Sequence, residues 1–320
     1  MLKKMLAIIL CAFCLAGCGG GSGGGSTLGG GDQKKEVQAM HDKYIKDIDN
    51  THVSIFKEMA TVQDLSPELA ELAKKYKREF EKIIANIEQA KISKGAEPYR
   101  DALKAYAVYW AKVMDMTIKQ CADAMEGVSN AEFERRKAQY NQELGNYNQI
   151  AYEMENEYSK AVQGKPAIVM GIDGANYLAF SSSKVDIAIT NVKKQKEAIG
   201  SNPFLQQEPM GVFFIVDVYM KNNQKDAITV DGNSFKLIDS EGREYSSSPE
   251  GHMALAVEQD SKAKGMLTRL NPNMGTSFTF VFDVPEELPI FTTKFEAKGG
   301  MTGKPTLMPL RPIKIETVKE

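Results

Sequence analysis

The chemistry open to this chain is bounded by its scarcest reactive side chains, three histidines and four cysteines in 320 residues. His41 and His52 fall three turns apart on nearly one face of a helical pattern. They are too far apart to share a metal ion and read as exposed or half-exposed helix residues. A ferritin-like di-iron centre needs Glu-x-x-His pairs facing inward, and here no Glu is followed by His three residues later. Cys121 lies on an apolar seam with no His in its helix, so it reads as a small buried hydrophobe rather than a nucleophile. Asp239-Ser240-Glu241, with Asp231 near it in sequence, falls short of the roughly 6–8 oxygen ligands that calcium takes and reads as a turn. Lys298 to Lys304 lacks the spacing of a phosphate loop and reads as a connection between strands. The C-terminal half holds no Gly-x-Ser-x-Gly elbow and no His-Glu-x-x-His helix. The 42 acidic residues show no spacing that marks a catalytic pair. The expectation is a chain with no catalytic residues, no metal ligands and no cofactor, hence not an enzyme.

Charge narrows the partners. Lys and Arg number 40 against 42 Asp and Glu, without the basic excess that nucleic-acid binders carry. Residues 33–163 are balanced as well, 20 basic against 22 acidic. The runs Lys74-Lys75-x-Lys77-Arg78 and Arg135-Arg136-Lys137 read as solvated faces, and no nucleic-acid partner is expected.

The N-terminus carries its own pattern. Lys3 and Lys4 precede an apolar run from Met5 to Leu15, eleven residues long. A membrane span needs about 20 apolar residues, so the run fits the hydrophobic core of an export signal. It ends in Leu15-Ala16-Gly17-Cys18, which resembles the lipobox of bacterial lipoproteins. The resemblance implies that residues 1–17 are a signal peptide and that Cys18 is acylated and becomes the mature N-terminus. Several acyl chains hold a protein stably on a bilayer, so the lipid bilayer is the first expected partner. The expected location is the cell envelope: the outer membrane if the organism has one, otherwise the outer face of the cell membrane. Residues 18–32 then read as the lipidated cysteine and a Gly/Ser-rich tether, GGGSGGGSTLGGG from Gly19 to Gly31, a flexible coil spanning roughly 20 Å.

The remaining chain is long enough for about two domains. Residues 33–163 show four segments with apolar residues at steps of three and four, close to the period of a bundle seam. They run through Val37–Val62, Leu69–Ala90, Tyr99–Cys121 and Phe133–Tyr158. Ser66-Pro67-Glu68 and Ser129-Asn130-Ala131-Glu132 are helix starts, and Gly95 and Gly127 suit left-handed helix ends. An antiparallel bundle of about four long helices, each about 40–50 Å, is expected. Its third helix, around Tyr106 to Ala111, should be the most buried. Nine of the twelve tyrosines lie here with Trp110; of an aromatic binding cleft and a core whose hydroxyls reach its rim, the core is the expected arrangement.

From Gly164 to Glu320 the period changes to two. Candidate strands are Ala167–Ile172, Lys184–Val192, Val212–Lys221, Ser234–Ile238, Glu244–Ser246, Thr276–Phe282, Lys294–Ala297 and Ile313–Val318. In the longest, Val212, Phe214, Val216 and Val218 form a wholly apolar face that should meet the core. Asp239-Ser240-Glu241-Gly242 suits a tight turn with glycine at positive φ. The fold class is therefore α+β in separate domains, a helical bundle followed by an immunoglobulin-like antiparallel β-sandwich.

The order Asn202-Pro203-Phe204, Gly211 to Asn222, Phe235 to Tyr245, Leu270-Asn271-Pro272-Asn273 and Phe280 to Pro285 resembles the immunoglobulin-like domain of unknown function common in bacterial lipoproteins and exported proteins. That family is related in fold to a small secreted mycobacterial antigen. The resemblance spans roughly residues 185–318 and implies a fold, with no catalytic residues. Asn273 stands where the family's turn has glycine, and Asn tolerates the left-handed φ required. Together these readings predict a membrane-anchored envelope lipoprotein acting as a non-catalytic binding or scaffolding module. Its partner would be an envelope protein, cell-wall material or a secreted ligand, and no ligand-binding residue is assigned. A sensor or stress-response lipoprotein is the alternative; an envelope hydrolase is a more distant one.

Overall fold

The computed structural model describes residues 31–59, 61–62, 64–202, 204–258 and 267–315. Cys18, the signal sequence and most of the tether lie outside the described residues. The described chain divides into two units, 31–166 and 167–315.

The first unit is helical: α1 (Gly31–Met59), α2 (Pro67–Glu88), α3 (Glu97–Met125), α4 (Asn130–Leu144) and α5 (Tyr147–Gln163). Side-chain pairs set the directions. Glu58 of α1 meets Lys75 near the start of α2, while Tyr44 donates to the Asn86 carbonyl near its end. Lys77 and Glu88 of α2 pair with Asp115 and Lys104 of α3 in reversed order. Tyr147 and Tyr158 of α5 lie against Tyr106 and Tyr99 of α3. Consecutive helices α1 to α3 thus alternate in direction, and α5 runs antiparallel to α3.

Among the described residues five helices stand where four were expected. The segment read as one helix from Phe133 to Tyr158 breaks at Gly145, whose φ of +84° stops α4, and Asn146 caps α5 by accepting from the Gln149 amide. Only α1 and α3, with 29 residues each, reach the expected length at about 1.5 Å per residue. Ser66 and Ser129 cap α2 and α4 as read, each accepting from the amide three residues on. Gly127 has a left-handed φ of +66°. Gly95 does not. It sits in a 3-10 turn, Lys94–Ala96, where its carbonyl accepts from the Gln33 amide and an added Cβ would strike that side chain at 2.5 Å.

The second unit is a β-sandwich of β1 (Ile168–Ile172), β2 (Ala175–Ser182), β3 (Val185–Gln195), β4 (Val212–Asn222), β5 (Ile228–Val230), β6 (Phe235–Ile238), β7 (Glu244–Ser246), β8 (Thr268–Leu270), β9 (Gly275–Val284), β10 (Lys294–Lys298), β11 (Pro305–Pro309) and β12 (Lys314–Ile315), with helix α6 (Pro249–Glu258) between β7 and β8. One sheet has the order β1-β2-β3-β4-β9, with β12 paired to the first half of β2; a second has the order β11-β10-β6-β7, and β5 pairs β8. Every pairing is antiparallel.

Val212, Phe214, Val216 and Val218 do face the core, against Phe235, Leu237 and Phe295 of the second sheet and Phe278, Phe280 and Phe282 of β9. The alternation left the opposite face of β4 without a stated partner. Phe213 and Ile215 are buried there with Val281, Ala254, Leu255 and Ile199, because α6 and the β3–β4 connection lie over it. Burial on both faces explains why β4 is almost continuously apolar.

Candidate functional site

Cys18 lies outside the described residues; the other residues singled out for their chemistry have a place in the fold. His41 and His52 are the clearest correction, since they are 1% and 0% exposed rather than at the surface. The apolar seam read on α1 left both imidazoles outside it. In the folded unit α1 meets α2, α3 and α5, so its buried stripe widens to include both imidazoles. The His41 ring lies 4.1 Å from Tyr158, and its Nδ1 is 2.8 Å from the Tyr99 hydroxyl. The His52 ring lies 4.3 Å from Trp110 and 5.6 Å from Phe80.

The tyrosines continue this centre. Tyr106, Tyr109 and Tyr147 surround Trp110 with ring centroids 5.1–6.3 Å apart, at distances where aromatic pairs attract beyond their area. Burial holds the Tyr99 hydroxyl well above its ordinary pKa and pushes Tyr158 up to about 12. The rings close on one another, so the reading as packed core holds over the cleft. α3 is the most buried helix, as expected. Cys121 is a free buried thiol, pushed up to about 11 by desolvation. At neutral pH it stays protonated and unreactive.

In the sandwich, Asp239 makes the turn that was read from it. Its Oδ1 accepts from the Glu241 and Arg243 amides and its Oδ2 from Arg243 Nε and the Tyr245 hydroxyl, while Gly242 takes φ of +81°. Both oxygens are engaged, and the neighbouring donors keep its pKa low against desolvation. Asp231 likewise accepts from the Ser234 amide and hydroxyl. No group of three or more His, Cys, Asp or Glu able to hold a metal occurs among the described residues. Asp239→Ala should cost about 2 kcal/mol, since it orphans several donors at once; urea unfolding of the variant measures it.

His252 was not singled out from the sequence. It is buried on α6, and its Nε2 accepts from the Val281 amide of β9 at 2.9 Å, while Ser248 donates its amide to the Val281 carbonyl at 2.7 Å. Burial depresses its pKa to about 4, partly countered by the Thr279 backbone. The ring also stands edge-on to Phe280 at 5.6 Å. A His three residues into a short run after Ser-Pro was the only hint, and it does not identify β9 as partner.

The surface features lie at the two ends of the sandwich. At one end the β3–β4 connection is closed by reciprocal bonds between Ile199 and Gln207, and Asn202 accepts from the Phe204 and Leu205 amides. This turn leaves Phe204 and, beyond it, Met210 each 95% exposed. Charges here are mixed: Lys194 donates to the Glu286 carbonyl and Lys196 pairs with the Glu286 carboxylate, with Glu197, Glu208 and Glu287 close in sequence.

At the other end, four connections are tied around Asn222, the residue that closes β4. Its amide donates to the Met274 carbonyl and its carbonyl accepts from Asn273; its Nδ2 donates to the Asp226 and Leu270 carbonyls and its Oδ1 accepts from Gln224. Asn273 takes the left-handed φ of +60° that its turn requires. The glycine-rich connection from Lys298 to Lys304 joins β10 to β11, as read. Gly299 donates to Ser182 Oγ, Lys304 donates to Ser183 Oγ and Met301 donates to the Thr229 carbonyl. A Cβ on Gly299 would meet the Ser182 carbonyl at 2.2 Å, so this glycine serves close packing rather than phosphate binding.

Comparisons with known proteins bear on the second unit. No curated protein matches the chain. Among solved structures it is similar to a conserved hypothetical protein of Bacillus anthracis (18% identity, 43% of this chain, 92% of that one, TM-score 0.31). It is also similar to ycdA, a candidate lipoprotein of Bacillus subtilis (16% identity, 41% of this chain, 38% of that one, TM-score 0.29). A third is MPT63, a secreted protein of Mycobacterium tuberculosis (13% identity, 40% of this chain, 87% of that one, TM-score 0.27). Residues 179–298 match the family described as a domain of unknown function (DUF4352).

Proposed function

We propose that this chain is an envelope lipoprotein, held on a membrane through acylated Cys18, whose folded units bind or scaffold a partner without catalysing a reaction. The observation that carries the non-catalytic part is the engagement of its reactive groups. The Cys121 thiol is buried and protonated, both Asp239 oxygens are taken by the turn, and His252 is held by β9. The anchor rests on Leu15-Ala16-Gly17-Cys18 and the apolar run before it. No helix among the described residues is long and apolar enough to cross a membrane, so attachment through the described part would need another means.

Cys18→Ser tests the anchor. The unaltered chain should take up labelled palmitate and stay with membranes through a high-salt wash. The variant should take up none and leave with the wash. Retention of the variant after washing overturns the anchor, and turnover of wall glycan by the purified chain overturns the non-catalytic reading.

A further inference from the structure

We propose that the end of the sandwich built around Asn222 docks on an anionic phospholipid surface. Five lysines converge there: Lys184 in the β2–β3 turn, Lys221 at the end of β4, Lys225 in the β4–β5 connection, and Lys298 and Lys304 flanking the glycine-rich loop. Among the described residues the acids nearest these lysines in sequence are Asp186, Asp226 and Glu296; Asp186 accepts from the Asn223 side chain and Glu296 stands opposite Lys236 of β6. Among the described residues none of the five lysines forms an ion pair, whereas Lys196 at the opposite end is held by Glu286. In a chain whose total charge is −2, the excess of cations is thus local.

Two exposed methionines stand among these lysines, Met274 at 55% and Met301 at 59%. Cations beside unbranched apolar side chains suit a headgroup layer, where ammonium groups meet phosphates and thioether chains enter the acyl boundary. The loops are braced: Gln224 Nε2 donates to the Ser183 carbonyl and Asn223 to the Lys184 carbonyl, besides the bonds of Asn222. Docking therefore needs little ordering of the protein, which lowers its cost. The proposal takes from the acylated Cys18 reading only that a membrane is near; the charge and the methionines stand without it.

The experiment uses the full acyl-free chain, Cys18→Ser, and sedimentation with vesicles. At low salt it should bind vesicles containing phosphatidylglycerol and leave phosphatidylcholine vesicles unbound. Binding should weaken steeply with salt. Each juxtamembrane lysine contributes about a fivefold change in affinity, so Lys184→Gln, Lys225→Gln and Lys304→Gln together should weaken binding about 100-fold. Met274→Ser with Met301→Ser should weaken it further. Lys46→Gln, Lys91→Gln and Lys165→Gln, a matched change in the other unit and its edge, should leave it unaltered. Equal loss in that control, or no binding to phosphatidylglycerol, overturns the proposal. Binding to poly(glycerol phosphate) in place of vesicles also overturns it, assigning the end to an anionic polymer. Because Cys18 is absent throughout, these outcomes do not depend on the anchor.

Discussion

Trp110→Ala should destabilise the helical unit by about 3–5 kcal/mol, the range for removing a buried aromatic side chain and leaving a cavity. Trp110 is fully buried on α3 and touches His52 of α1 and Tyr147 of α5 as well as Tyr106 and Tyr109 of its own helix. Its removal therefore loosens three helices at once, and collapse around it is opposed by rings already packed against each other. A domain of this size has a total stability of roughly 5–15 kcal/mol, so the variant sits near its unfolding limit. Urea titration followed by helical circular dichroism gives the loss directly. A change under about 1 kcal/mol would mean that the aromatic centre is loosely packed. Trp110 is also the only tryptophan, so in the unaltered protein its fluorescence reports the helical unit and is blind to the sandwich.

The second large effect is a loss of sandwich stability in mild acid. Burial holds folded-state His252 near pKa 4, against 6.5 when free. Between those values the unfolded chain binds a proton that the folded chain refuses, so unfolding is favoured as pH falls. The contribution is intact above pH 6.5 and is lost as pH falls from 6.5 to 4. At about 1.4 kcal/mol per pH unit the loss is about 3 kcal/mol. In the structure the proton would fall on the ring that accepts from Val281, which turns an acceptor into a donor facing a donor. Hydrogen exchange of the Val281 amide and its β9 neighbours should rise over this interval. In His252→Ala the same segment should exchange faster at neutral pH but change less with acid. An unaltered pH slope in that variant would assign the acid sensitivity to the carboxylates instead.

Much of this architecture is legible in the sequence, and several of the misses share a cause. Ser66, Ser129 and Asp239 act on neighbours two to six residues away, so local spacing identified their caps and turn. The face of β4 bearing Val212 to Val218 was legible because alternation reports one buried side. Its other face, His41, His52 and His252 depend on which distant element packs against them, and a single chain pattern does not carry that. The break at Gly145-Asn146 and the strand β2 were different omissions. Both had local signals. Asp173-Gly174, with φ of +48° and +79°, forms the two-residue turn joining β1 to β2, and Asp-Gly is among the strongest hairpin signals. The sequence Ala-Asn-Tyr-Leu-Ala-Phe-Ser-Ser that follows has three consecutive buried residues, Tyr177 to Ala179, and so does not alternate. β5 and β8, of three residues each, are too short for periodicity. α6 buries Gly251, His252, Ala254 and Leu255 on one face and exposes Met253, so its apolar residues alone do not mark the side that packs. At the surface, Phe204 and the lysines around Asn222 are legible one by one as residues, but their convergence at two ends of the sandwich needs the strand order.

The position of α6 has a further consequence. Among the described residues β9 is the last strand of its sheet, pairing with β4 alone. On its free side a polypeptide in extended form could add itself, from a second copy or from any unfolded segment nearby. Ser248 and His252 occupy the amide and carbonyl of Val281, the place where such a strand would begin to pair. The helix thus ends the sheet instead of leaving a template for growth. Removing the imidazole by mutation, or its acceptor lone pair by acid, frees the Val281 amide for such a strand, so stability and resistance to self-association depend on the same hydrogen bond.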